Sequence, residues 1–160
     1  MITEAKDILA SVLTAHPAVG LSLTRIVRSA ADEKKAVLER AHPFASLISA
    51  PGSFDNTTSR RAARTASGGG VEKYFIRGTR RLPIGIRVWA KTENDADAIV
   101  SAFLPFIPHR WAAEGAEGVV EIKKTDASDF ASAVSGHYVM MVEVAFSLDV
   151  AMPGGERPER

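Results

Sequence analysis

Residues 74–108 read YFIRGTRRLPIGIRVWAKTENDADAIVSAFLPFIP. From Leu82 onward an apolar residue returns at every second position, the period of a half-buried strand. Leu82, Ile84, Ile86, Val88 and Ala90 share one face, and Pro83, Gly85, Arg87 and Trp89 share the other. Pro83 has no N–H to give to a ladder, so it belongs near a strand start or on an edge. At Thr92 the period changes. Thr92 and Asp95 resemble a capping box, and Ala96, Ile99, Val100, Phe103 and Leu104 follow the spacing of an amphipathic helix. Pro105 and Pro108 close that helix. Upstream, VEKYFIR reads as a shorter strand that leads through Gly78 and a basic turn into the longer one. The second face poses a question, because a tryptophan and an arginine oppose the apolar row. Two covers are possible, another chain or the N-terminal helix of the same chain.

Working outward, residues 3–13 predict that helix. Thr3 is a candidate cap, Glu4 and Asp7 suit the positive end of the dipole, and Ala5, Ile8, Leu9, Val12 and Leu13 form one stripe. Pro17 and Gly20 end it. Leu21–Val27 and Phe44–Ala50 read as strands. Residues 30–41 fit either a helix capped by Ser29 or a charged connection. Residues 52–70 are rich in Ser, Thr, Asn, Gly and Arg and read as a flexible loop inside the domain. VVEIKK predicts a short strand. The last element alternates, with Tyr138, Met140, Val142, Val144, Phe146, Leu148 and Val150 on one face and a mixed opposite face that suits partial cover. The expectation is one α/β (α+β) domain over residues 1–151. Its mixed, mostly antiparallel sheet carries the N-terminal helix and the helix after the central strand, and residues 152–160 form a mobile tail.

Composition narrows the function. A chain of 160 residues with 46% hydrophobic and 24% charged residues is an ordinary globular domain. The formal net charge of +1 gives no global pull toward nucleic acid or membrane. The absence of cysteine removes disulfides, thiolate metal sites and a thiol nucleophile. Acids at Glu4 and Asp7 speak against a secretory signal, and no apolar run reaches membrane-spanning length, so a soluble cytoplasmic chain is expected.

Catalytic patterns are not evident. His16, His42, His109 and His137 are scattered, and the glycines at 68–70 precede a strand rather than a helix and lack the GK[ST] of a phosphate loop. AVSGHY is not a nucleophile elbow, and Asp126 and Asp129 read as solvated acids of a polar segment. No catalytic, metal or cofactor-binding residue is assigned, no cofactor is expected, and the chain reads as a non-enzyme. The strongest local signal is charge. Arg60, Arg61, Arg64, Lys73, Arg77, Arg80 and Arg81 stand against a single acid, Glu72. Such a cluster can be a solvated loop, neutralise phosphates, or grip carboxylates on another protein. The last is favoured by Arg87 and Trp89, since Arg and Trp dominate interface hot spots. The candidate interface is therefore Arg60, Arg61, Arg64, Arg77, Arg80, Arg81, Arg87 and Trp89.

The order of elements resembles a family. An N-terminal helix precedes HPFASLISAPGSFDN, a variable loop, RGTRRLPIGIRVWAKTENDADAIVSAFLPFIP and a long alternating strand, over roughly residues 3–151. This order is similar to that of the tail terminator, or tail completion (neck), proteins of long-tailed bacteriophages. The resemblance implies a small α/β domain that assembles as a hexameric ring on the head-proximal end of the tail tube. Such a ring ends tube growth and joins the tail to the head connector, as a structural part of the virion assembled in the host cytoplasm. The implied partners are further copies of the chain, the tail tube protein, the head–tail connector protein and, in a contractile tail, the sheath protein. No membrane is implied, and DNA passes through the ring without specific binding. Other neck or head–tail joining proteins, and a small nucleic-acid-binding module using residues 60–81, are the alternatives.

Overall fold

A computed structural model describes residues 1–15, 24–65, 71–113, 115–127 and 138–151. The alternation that starts at Leu82 belongs to a longer strand than its apolar row implies. In chain order the elements are α1 (Ile2–Ala15), β1 (Arg25–Val27), α2 (Ala30–Leu38), β2 (Phe44–Ser49), β3 (Ser53–Thr65), β4 (Val71–Ala90), α3 (Glu93–Phe103) with a 3-10 turn (Leu104–Phe106), β5 (Arg110–Ala113), β6 (Ala116–Ala127) and β7 (Tyr138–Ala151). The fold is α+β: three helices and a mixed, mostly antiparallel seven-stranded sheet that curls into a half-barrel.

The sheet runs β1-β2-β4-β7-β6-β5, and β3 also pairs with β4. The spine is β4 against β7, antiparallel from Ile76 opposite Ala151 to Ala90 opposite Tyr138. On its other edge β4 is shared. β2 takes residues 84–89 and β3 takes residues 71–81. Only β1 and β2 pair in parallel, and α2 is the crossover that a parallel neighbour requires.

The main core fills one face. Ala5, Leu9 and Leu13 of α1, and Ala96, Ile99, Val100 and Phe103 of α3, lie on Leu82, Ile84, Ile86 and Val88 of β4 and Val142, Val144 and Phe146 of β7. The stripe read in residues 3–13 therefore packs inward, although the expected cap at Thr3 is not one. The helix already includes Ile2, and the Met1 amino group pairs with Glu4 at 2.5 Å. The ambiguity over residues 30–41 resolves as a helix, because the Ser29 side chain accepts the Asp32 N–H and the buried face carries Ala36. Thr92 caps α3 in the same manner through the Asp95 N–H.

Three expectations are corrected. Residues 53–65, read as a loop, form β3, because ladder bonds to β4 hold polar residues that could never make a core. The register slips between Asn56 and Arg60, a bulge in the strand. The basic turn at Gly78–Arg81 is uninterrupted strand, so VEKYFIR and RLPIGIRVWA are one element of 20 residues. VVEIKK is the middle of a 12-residue strand, preceded by the unforeseen β5. β5 is short and buries only Trp111 and Ala113, too few positions to set a period. Gly115, at φ 75°, turns β5 into β6 where an L side chain would be strained. Residues 66–70, 128–137 and 152–160, which held the rest of the expected loop, Asp129, His137 and the expected tail, lie outside the described residues, as does His16.

Candidate functional site

Trp89 and Arg87 come first, since they raised the question. Trp89 is 3% exposed and its ring stacks on Phe44, centroids 5.7 Å apart. Val27, Ala36 and Val139 complete a small second core on the face opposite the main one. The cover is α2, so neither α1 nor a second chain is needed to bury this tryptophan. The Glu33 carboxylate, nearly buried on α2, accepts from the Trp89 indole N–H at 3.3 Å, from Arg87 Nη1 at 2.7 Å and from the Ser46 hydroxyl. These three donors tie the helix to β2 and β4. Losing one partner of such a group strands the others away from water, which is why the set holds together. The sequence reading missed Glu33. Its signal was an acid three and four residues before Ala36 and Val37, on the helix face that must turn inward.

The remaining interface candidates lie toward the other end of β4. Nine residues separate Arg80 from Trp89, about 30 Å along a strand. Residues 71–75 of β4 pair with β3, and among the described residues the ladder to β7 runs from Ile76. Arg60 stands opposite Ile76, Arg61 opposite Phe75, Lys73 opposite Ala63 and Arg64 opposite Glu72. The fold thus gathers Arg60, Arg61, Arg64, Arg77, Arg80 and Arg81 on the β3–β4 ribbon, and separates Arg87 and Trp89 from them.

Where β7 joins this pair, several cations are engaged within the chain. Arg77 donates to Asn56 Oδ1 at 2.9 Å. Arg81 crosses β7 to reach Glu121 on β6 at 3.3 Å, and Lys123 lies 2.6 Å from the same carboxylate. The Lys123 hydrogen bond and charge, aided by Arg81, hold Glu121 below the ordinary carboxylate range. Arg80 is exposed, beside Phe54, which is 43% exposed and lays its ring over Gly78. A Cβ on Gly78 would lie 2.5 Å from the Asp55 carbonyl oxygen and 2.6 Å from that ring, so the close approach requires glycine. An open cleft of about 590 Å³ nearby is lined by Thr79, Arg110, Trp111, Ser147 and Asp149. Two pairs of its polar groups bond within the cleft wall, Thr79 donating to Asp149 at 3.0 Å and the Trp111 indole to the Ser147 carbonyl at 2.9 Å.

The other expected site residues do not converge. His42 lines a second open cleft with Lys91 and Asp95, His109 is exposed elsewhere, and Asp126 sits in β6 opposite Met141. Among the described residues no group of three or more His, Cys, Asp or Glu could hold a metal ion, and no helix is long and apolar enough to cross a membrane. Comparison of the chain with models of known protein families gave no match, and comparison with curated proteins gave none either.

Proposed function

We propose that this chain is a structural assembly protein of a long-tailed phage particle, a tail terminator that closes into a ring on the tail tube. The observation that carries the reading is the β3–β4 pair, which draws the arginines of residues 60–81 onto two neighbouring strands. Among the described residues nothing of this chain pairs with β4 before Ile76 except β3. A curled sheet that carries such a basic strand pair is suited to meeting an acidic surface of a neighbouring subunit. The arginines then grip carboxylates of that neighbour, of the tube or of the sheath, and leave the DNA path free. Catalysis has no part in this role.

Native mass over a wide concentration range, with electron microscopy of the same sample, tests the reading. A closed ring with an open centre is expected. A compact monomer at every concentration, with no ring formed on isolated tail tubes, would remove it.

One observation favours a second reading. A two-stranded β-ribbon fits the major groove of duplex DNA, and this ribbon carries clustered arginines. Under that reading the chain binds duplex DNA with an affinity that falls steeply with salt.

A further inference from the structure

The three helices are held on the sheet by different means. α1 buries Ala5, Leu9 and Leu13, and α3 buries Ala96, Ile99, Val100 and Phe103. α2 has nine residues, of which only Glu33 and Ala36 are buried. Its largest apolar side chain, Leu38, is 75% exposed. A helix this short has little stability of its own, and one buried methyl group adds little to it.

The fastenings of α2 are polar instead. Glu33 accepts from Arg87, Trp89 and Ser46, and Glu39 pairs with Arg25 at 3.1 Å where both side chains are at least a third exposed. An exposed pair of this kind contributes little. The Glu33 carboxylate fixes where the helix sits. Taking Glu33 and Arg87 out of water offsets much of their attraction, however, and opening returns both to water. Just past the helix, Arg40 has φ 52°, a left-handed conformation that favours glycine.

The chain is anchored on both sides of α2. Before it, Arg28 pairs with Asp7 at 2.5 Å, and the Arg28 carbonyl accepts from Lys6 at 2.8 Å, both on α1. After it, the Thr24 hydroxyl donates to the Ala41 carbonyl at 2.5 Å and the Thr24 N–H to the Pro43 carbonyl at 2.7 Å. α2 can therefore leave the sheet while its two ends stay in place. Beneath it lie the stacked rings of Trp89 and Phe44 with Val139. Half-buried Ile48, Pro83, Gly85 and Met141 follow on the same sheet face.

We infer that α2 is a latch. It opens as a unit between Arg28 and Arg40 while the sheet stays folded. Opening joins the Trp89–Phe44 stack to the half-buried residues beside it as one apolar surface, which the closed chain hides.

Native-state hydrogen exchange followed by NMR tests the latch. The Trp89 indole N–H and the slowest amides of α2 are expected to share one protection factor, at least about a hundredfold below that of the amides of residues 84–90. Their opening should respond weakly to urea, because it exposes far less surface than unfolding. Glu33→Gln keeps an acceptor and removes the charge, and should lower the shared protection about tenfold in a chain whose circular dichroism is unchanged. A Trp89 indole as protected as residues 84–90 overturns the latch, since α2 would then leave only when the sheet unfolds. Protection of α2 that falls more than about tenfold below that of the Trp89 indole also overturns it, since the helix would fray without uncovering the ring. Unchanged protection in the Glu33→Gln variant overturns the carboxylate as the fastening.

Discussion

The two halves of β4 differ in what holds them. Residues 82–90 are packed on both faces, with α1 and α3 over Leu82, Ile84, Ile86 and Val88 and α2 over Trp89. They also have a ladder on each edge, β2 on one side and β7 on the other. Among the described residues, residues 71–75 have one ladder, to β3. The same strand is therefore a buried spine over residues 82–90, while its first residues are defined by the backbone ladder to β3. A backbone ladder suffices to define a strand, but only apolar burial on its faces makes that strand a fixed part of the domain.

Removing core volume is the strongest way to break the contrast. Phe146→Ala deletes a fully buried ring that meets Trp111 edge to face at 4.9 Å, and a loss of about 3–5 kcal/mol in urea unfolding is expected. No single substitution in residues 71–81 should approach this value. Next comes the second core. Glu33→Ala removes the acceptor shared by the Trp89 N–H, the Ser46 hydroxyl and Arg87. Because the Arg87 side chain is still 21% exposed, the expected loss is about 2–3 kcal/mol rather than the full cost of a broken buried pair. A loss under about 0.5 kcal/mol would mean that α2 contributes little beyond cover.

Gly78→Leu sharpens the comparison from the β3 side. The new side chain collides with Phe54, so amide exchange should quicken along β3 and residues 71–81. Exchange in residues 84–90 should change little, and the global cost should be about 1–2 kcal/mol. Uniform quickening over the whole sheet would deny that this end of β4 opens separately. The smallest effect is in pH. Glu121 is held below the ordinary carboxylate range by Lys123 and Arg81, so the stability it contributes is present above the unfolded carboxylate pKa. That contribution disappears as pH falls through the lowered folded value. Glu121→Gln should flatten this part of an acid titration of the urea midpoint and leave the neutral-pH side of the profile unchanged.

Much of the core was legible in the sequence, because two periodicities record burial directly. The alternation of Leu82–Val88 and of Val142–Leu148 marked the spine, and the stripes Ala5–Leu13 and Ala96–Phe103 marked the helices that cover it. The caps at Ser29 and Thr92 were legible too, since each uses a hydroxyl and an N–H three residues apart. β3 was hidden because it is held by backbone bonds to the next strand, and such bonds leave no periodic mark in side-chain chemistry. The candidate site divides in the same way. The sequence by itself determined that arginines cluster between residues 60 and 81 and that Trp89 opposes the apolar row of its strand. Only the tertiary structure decided that α2 buries Trp89 against Glu33 while the β3–β4 ladder sets the arginines of two strands side by side. The first outcome depends on elements that meet across a long sequence separation, Glu33 and Trp89, and that is set by the packing of the whole chain; the second depends on backbone bonds that side-chain chemistry does not record.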